Sequence, residues 1–207
     1  MIKPKEKKER ALGEHLHLKG YRCVSPKCAV VRKPHRPGAH GLDKVKRRKN
    51  DSEFGRQLLE KQKVKVTYGI TERTLEQIFR KAEKSSESTS LKIMEIIEKR
   101  LDNVVFRLGL GASRRMARQL IYQGHVFVNS KRVISPGFSV KVGNIIGFRP
   151  ESHKIGALIQ VRETIKTQEV PAWLSLDKEK LEGRVLSEPG SLDLPFEVNL
   201  LVESFSK

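Results

Sequence analysis

Ser113-Arg114-Arg115-Met116-Ala117-Arg118-Gln119-Leu120-Ile121-Tyr122-Gln123-Gly124-His125 reads as one capped helix with two chemically different faces. Ala117, Leu120 and Ile121 recur at helical spacing and form an inward stripe. Ser113 suits the N-cap, since its hydroxyl accepts from first-turn amides that have no intrahelical partner. Gly124 supplies a left-handed stop. Arg114, Arg115 and Arg118 crowd the first turn and a half. A helix N-terminus already favours anions through its amides and dipole, and planar guanidinium forks match phosphate oxygens. No acidic residue lies within four positions of Arg114 or Arg118, so a phosphate-binding surface is expected.

Working outward, Leu101, Val104, Val105 and Leu108 define a preceding amphipathic helix that ends at Gly109, with Arg100, Asn103 and Arg107 off its apolar stripe. Downstream, Val126-Phe127-Val128 and short apolar runs out to Ile145-Ile146-Gly147-Phe148 predict a small sheet. Residues 98–162 therefore read as a small α/β unit, two helices packed on a mainly antiparallel sheet. The fold class is α+β. The other expected parts are a basic extended N-terminal arm, 1–50, and a mainly helical scaffold, 51–97 plus 163–207.

The formal charge of +18 is unevenly placed. Residues 1–65 hold 20 Lys/Arg against 7 Asp/Glu, residues 66–162 hold 17 against 8, and residues 163–207 hold 5 against 9. The first third is thus the strongest attractor of a polyanion, and the acidic tail is expected to contact protein or solvent. None of the basic runs carries the aromatic anchors of a membrane-surface helix, no stretch approaches a transmembrane length, and the opening residues have no apolar leader core. A nucleic acid, not a membrane, is the expected partner, and a cytoplasmic location follows.

In the arm, Pro26, Pro34 and Pro37 with four glycines interrupt helical patterns, so the segment is expected to order on its polyanion. Cys23 and Cys28 supply half of a tetrahedral zinc site, for which His15, His17, His35 and His40 are the nearest other donors; buried or free thiols are the plainer reading. Arg36 to Gly41 is a turn that delivers Lys44, Lys46, Arg47, Arg48 and Lys49 to one place. Asp51 or Ser52 caps a helix to about Val66 with Leu58, Leu59, Gln62 and Val66 on one side. Thr71 caps another through Leu75, Ile78, Phe79 and Ala82, and Ser90 opens a third through Ile93, Met94, Ile96 and Ile97. A short helix near Lys154 to Ile159, a packing role for Trp173 and a strand-like run from Phe196 to Val202 complete the reading.

No phosphate-cradling glycine motif, nucleophile elbow or helical pair of metal-binding histidines is present, and the acids are scattered among Lys and Arg. A non-enzyme that binds RNA is expected. Arg114, Arg115 and Arg118 would clamp phosphates, Arg36 to Lys49 would thread between RNA helices, and Arg100, Arg107, Lys131 and Arg132 would extend the surface. His40, Arg56 and Lys63 in the first part, and Ser113, Gln119 and His125 around the arginine helix, complete the candidate RNA contacts. Recognition would rest on shape, phosphates and ribose hydroxyls, because the deep groove of A-form RNA hides base edges. An RNA-modifying enzyme such as a pseudouridine synthase would need a catalytic domain beyond the roughly 60 residues after Phe148. A helix-turn-helix DNA repressor would need more Asn and Gln for base edges.

Residues 113–129, with Lys131-Arg132-Val133 and the turn Val142-Gly143-Asn144, closely resemble the S-four RNA-binding domain. Cys23 to Cys28, Arg36 to Gly41, Glu60 to Lys63, Tyr68-Gly69-Ile70, Arg100 to Gly109 and Pro171 to Leu174 extend the likeness from about Leu18 onward to ribosomal protein four of the bacterial small subunit. The resemblance implies a structural constituent of the small ribosomal subunit. It implies direct binding of the 5′ domain of small-subunit ribosomal RNA, nucleation of assembly, and a place at the messenger RNA entry channel beside ribosomal proteins three and five, with an influence on accuracy. Zinc-bearing members of that family carry a Cys-x-x-Cys pair upstream, where this chain has Glu6 and Glu9, so no cofactor is expected. The tail from Leu194 also departs from the usual ending.

Overall fold

The computed structural model describes residues 5–41, 52–149, 151–152, 156–165, 169–190 and 196–205. Lys44, Lys46, Arg47, Arg48 and Lys49 lie outside the described residues. The chain forms two compact units, Met1–Lys92 with Asp193–Lys207, and Ile93–Leu192.

The first unit contains α1 (Lys5–Leu12), α2 (Tyr21–Val24), α3 (Ala29–Arg32), α4 (Glu53–Tyr68), α5 (Glu72–Glu83) and α10 (Val198–Glu203), and α6 (Thr89–Glu98) carries the chain onward. The N-terminal segment is not the extended arm expected. Short helices bury Leu16, Cys23, Cys28 and Glu9, and Arg10 Nε donates to the His35 carbonyl at 3.1 Å. The two thiols pack as small apolar groups, a contribution that a count of prolines and glycines overlooks.

Ser52 Oγ caps α4 by accepting from Gly55 N at 3.2 Å, and Gly69 ends it in the left-handed conformation. The buried stripe of α4 differs from the expected one. Leu58 is exposed, while Gln57, Glu60, Val64 and Tyr68 are buried. The polar members are buried because they have partners. Gln57 Nε2 donates to Glu203 Oε2 at 3.0 Å, and Glu60 Oε2 accepts from Glu197 N at 3.1 Å. Both partners flank or belong to α10, so the run expected to be a strand is a helix docked on α4. A short apolar run does not distinguish strand from helix by periodicity, and here the side-chain partners on α4 decide. Phe196 meets Tyr68 edge-on at 6.1 Å, and Phe205 stacks on Phe79 at 5.1 Å. In α5 the Thr71 cap and the buried Leu75, Ile78, Phe79 and Ala82 follow the spacing in the sequence.

The second unit contains α7 (Leu101–Arg107), α8 (Arg114–Tyr122), β1 (Val126–Val128), β2 (Lys131–Arg132), β3 (Ile145–Phe148), α9 (Gly156–Thr164), β4 (Leu174–Asp177) and β5 (Glu182–Val185). Its strands form one antiparallel sheet in the order β2-β1-β3-β5-β4. Asn129 and Ser130 take positive φ angles of 49° and 63° in the β1–β2 turn, the hairpin geometry that suits strand twist. Asn129 Oδ1 then accepts from Ile145 N at 2.8 Å and fixes β3 beside it.

Val126 pairs with Phe148, Val128 with Ile146, and Ile145 with Arg184. Residues 163–192 therefore do not join the helical scaffold. Their strands extend this sheet, and Trp173, Leu174, Leu181 and Val185 enter its core. Acidic composition placed this segment wrongly because burial is set by alternating residues of β5, Gly183 and Val185, whatever the charge of those between. A Cβ at Gly183 would collide with the Leu108 side chain, so glycine lets the sheet approach the end of α7.

Candidate nucleic-acid interface

The site begins at the start of α7. Arg100 is its N-cap without a side-chain cap, and the amides of Leu101 and Asp102 donate to the carbonyls of Phe138 at 2.8 Å and Pro136 at 3.1 Å. These bonds satisfy donors that would otherwise be orphaned and fix the Asp102 carboxylate in place. Ser113 Oγ caps α8 by accepting from Met116 N at 3.2 Å, so it serves the helix rather than standing open to a ligand. Ala117, Leu120 and Ile121 are buried, as their spacing predicts.

The arginines are less open than the sequence suggests. Asp102, 3% exposed in its side chain, accepts from Arg100 Nε at 3.2 Å and Nη2 at 3.0 Å, and from Arg118 Nε at 3.1 Å as well as its Nη2. Glu98, fully buried, accepts from Arg107 Nε at 3.1 Å and Nη2 at 3.0 Å and from Asn103 Nδ2 at 2.7 Å. Asn103 Oδ1 in turn accepts from Arg114 Nε at 2.8 Å, and the Arg114 guanidinium lies 4.4 Å from the Phe106 ring centre.

Of the trio, Arg115 alone is exposed, while Arg114 and Arg118 are half-buried. The expectation of three open guanidiniums is corrected for that reason. The acids are distant along α8 but adjacent across the α7–α8 packing. Five arginines surround two carboxylates, so the cluster keeps a positive excess, and its forks are held in fixed orientations before any ligand arrives.

The remaining candidates divide between the units. Gln119, Lys131 and Arg132 are exposed in the second unit, and His125 Nδ1 lies 2.9 Å from Ser152 Oγ. Gly124, at φ 75°, leaves space that the Arg132 guanidinium occupies. Arg36, His40 and Arg56 are exposed in the first unit. Lys63 is buried there, bridging Glu14 and, at 2.6 Å, Glu60. Its ammonium is consumed by that pair, so it is withdrawn from the candidate RNA contacts. Sequence reading missed Asp102, Glu98 and Phe106 as supports, and Tyr122, 65% exposed, as a stacking surface. Tyr122 lies seven positions after Arg115 and three after Gln119, off the apolar stripe, which was the available signal.

A second cluster lies in the first unit. Donor atoms of His15, Cys23 and Cys28 all lie within 4.8 Å of one another, with Cys28 Sγ 3.4 Å from His15 Nε2. Tetrahedral zinc, with bonds of about 2.3 Å to sulfur and about 2.0 Å to nitrogen, needs donors somewhat under 4 Å apart, so the residues present fit such an ion. Burial pushes the Cys23 thiol above its ordinary range, aided by the charges of Glu9, Cys28 and Glu6 and opposed by the Lys19 amide.

The family profile "Ribosomal protein S4/S9 N-terminal domain" matches residues 1–98, and the "S4 domain" profile matches residues 99–146. Among curated relatives, the "Small ribosomal subunit protein uS4" of Acetivibrio thermocellus is 43% identical over 200 residues, covering 96% of this chain and 94% of the relative. Those of Thermoanaerobacter pseudethanolicus and Thermus thermophilus are 42% identical with the same coverage. The match spans both units and assigns the chain to a ribosomal-protein family instead of an enzyme family: it belongs to the uS4 family.

Proposed function

We propose that this chain is a structural constituent of the small ribosomal subunit that binds ribosomal RNA through the α7–α8 face of its second unit. The observation that carries the reading is the excess of guanidiniums over carboxylates at the start of α8, each fork fixed by Asp102, Glu98, Asn103 or Phe106. Arg115, with Arg114 and Arg118 behind it, meets phosphates. Gln119 and Tyr122 meet ribose hydroxyls and an unstacked base. Lys131 and Arg132 extend the contact along β2. Arg36, His40, Arg56 and the segment Lys44 to Lys49 add a second basic surface from the first unit.

In this reading the chain nucleates assembly of the 5′ domain, stands near the messenger RNA entry channel beside ribosomal proteins three and five, and contributes to accuracy in the cytoplasm. Support comes from the near full-length identity to proteins named for the small subunit. No helix among the described residues is long and apolar enough to cross a membrane.

Sedimentation of the tagged chain with small-subunit particles tests the reading, and its absence from them would end it. With about six to ten phosphates neutralised, affinity for ribosomal RNA should fall by about 10³ to 10⁵ between about 50 and 200 mM salt. Arg115→Ala should weaken binding evenly across RNA sequences and reduce the salt slope by about 1.

A further inference from the structure

The His15, Cys23 and Cys28 cluster has features that thiol packing alone leaves unexplained. Cys23 and Cys28 are 4% and 0% exposed, and both are free thiols. They come from separate short helical turns, Cys23 inside α2 and Cys28 at the N-cap of α3. His15 reaches them from the loop after α1. Cys23 Sγ accepts from the Lys19 amide at 3.2 Å, an arrangement that stabilises a thiolate bound to a cation. Three soft or borderline donors from three stretches thus meet in a region with few buried apolar side chains.

Glu9 stands beside them. It is fully buried, its Oε1 accepts from the Leu18 amide at 3.1 Å, and its Oε2 has no hydrogen-bond partner among the described residues. Leu18 and Lys19 are consecutive, so adjacent amides of one turn hold the Glu9 carboxylate and the Cys23 sulfur. An unsatisfied buried carboxylate oxygen is costly unless a cation answers it. Glu6, by contrast, is turned to Arg22 at 2.8 Å. His17 stacks on His15 with ring centres 4.0 Å apart and is exposed, at the rim of the cluster.

We propose that Glu9, His15, Cys23 and Cys28 form a closed four-donor site for one structural zinc ion. Two thiolates, an imidazole and a carboxylate are a borderline-soft set suited to tetrahedral zinc, and closed sites with four protein ligands are structural rather than catalytic. The ion joins α1, the following loop, α2 and α3, and its binding energy becomes folding energy for a segment whose apolar core is small. This site is independent of the RNA-binding reading.

The full chain, purified under reducing conditions and dialysed against metal-free buffer, should retain about one zinc by elemental analysis. Cobalt in its place should give the intense visible bands of a tetrahedral ion with thiolate charge transfer. A chelator should lower helical circular dichroism and open both thiols to a thiol-specific dye. Cys28→Ser should abolish retention. His15→Ala, Cys23→Ser and the near-isosteric Glu9→Gln should each weaken zinc affinity by at least about 10-fold, while His17→Ala leaves it unchanged. Absence of zinc from the wild-type chain, a Cys23–Cys28 disulfide in its place, or unchanged affinity in any of the four ligand variants would overturn the assignment, as would loss of binding in His17→Ala. Glu9→Gln and chelation of the wild type keep the test decisive even if a cysteine variant fails to fold.

Discussion

The two units bury different kinds of surface. In the second, Leu101, Val104, Val105 and Leu108 of α7 close with Ile121 of α8 and with Val126, Ile146 and Val185 of the sheet into one apolar cluster, and its buried charges sit at the edge where α7 meets the arginines. In the first, charge enters the interior. Lys63 is wedged between Glu14 and Glu60, Gln57 answers Glu203, and Glu9 is enclosed near two thiols. One unit is stabilised mainly by removal of apolar area from water, and the other depends more on whether each buried polar group finds a partner.

The contrast is most directly broken by Leu101→Ala. It leaves a cavity in the second unit and should cost about 2–5 kcal/mol in denaturant unfolding, with little effect on the first unit. A cost below 1 kcal/mol, on the order of surface substitutions, would mean the cluster is not the principal support.

Lys63→Met probes the opposite unit and should cost about 2–3 kcal/mol, a value below the usual range for broken buried pairs because Glu14 is 40% exposed. Burial alone would lower the Lys63 pKa, but Glu14 and Glu60 outweigh it and hold it above the ordinary lysine value. Its stabilisation is therefore complete below the unfolded-state pKa and fades as pH rises through the folded-state pKa. Alkaline melts of the wild type should show that loss, and melts of the variant should not.

Asp102→Asn sharpens the role of the arginine cluster. Simple charge counting forecasts tighter RNA binding after loss of an anion. Fixed orientation forecasts the reverse, and we expect affinity for structured ribosomal RNA to fall about tenfold, or about 1.4 kcal/mol, while non-specific duplex binding rises. Filter binding to both RNAs at one salt concentration separates the two.

The smallest effect should come from Glu72→Gln, below about 1 kcal/mol at neutral pH because the side chain is 47% exposed. Burial alone would raise its pKa, yet Lys61 at 2.5 Å and Lys65 at 2.6 Å outweigh burial and lower it. This pair stabilises above the unfolded-state pKa and is lost as pH falls through the folded-state value, so only the acid side of the stability profile should flatten in the variant.

The same contrast explains what could be read from residues alone. The α7–α8 pair, β1 to β3 and α5 announce themselves because regular apolar spacing and a capping hydroxyl at Ser113 or Thr71 point to one structure. The helix α10, the inward face of α4 and the folded N-terminal segment do not, because Glu203, Glu197, Cys23 and Cys28 act through partners far away in sequence. The site behaved likewise. The basic character of α8 is local and legible, whereas Asp102 and Glu98 reach its neighbourhood through packing that no window of sequence displays.

The antiparallel sheet terminates in meagre borders. On one side β2 offers two residues, Lys131 and Arg132, both cationic; on the other β4 spans four and runs into Asp177. A stray strand finds little ladder to extend there and meets repulsion from its own kind. Between synthesis and incorporation into a larger particle, copies of this chain are thereby discouraged from zipping together into fibrous aggregates.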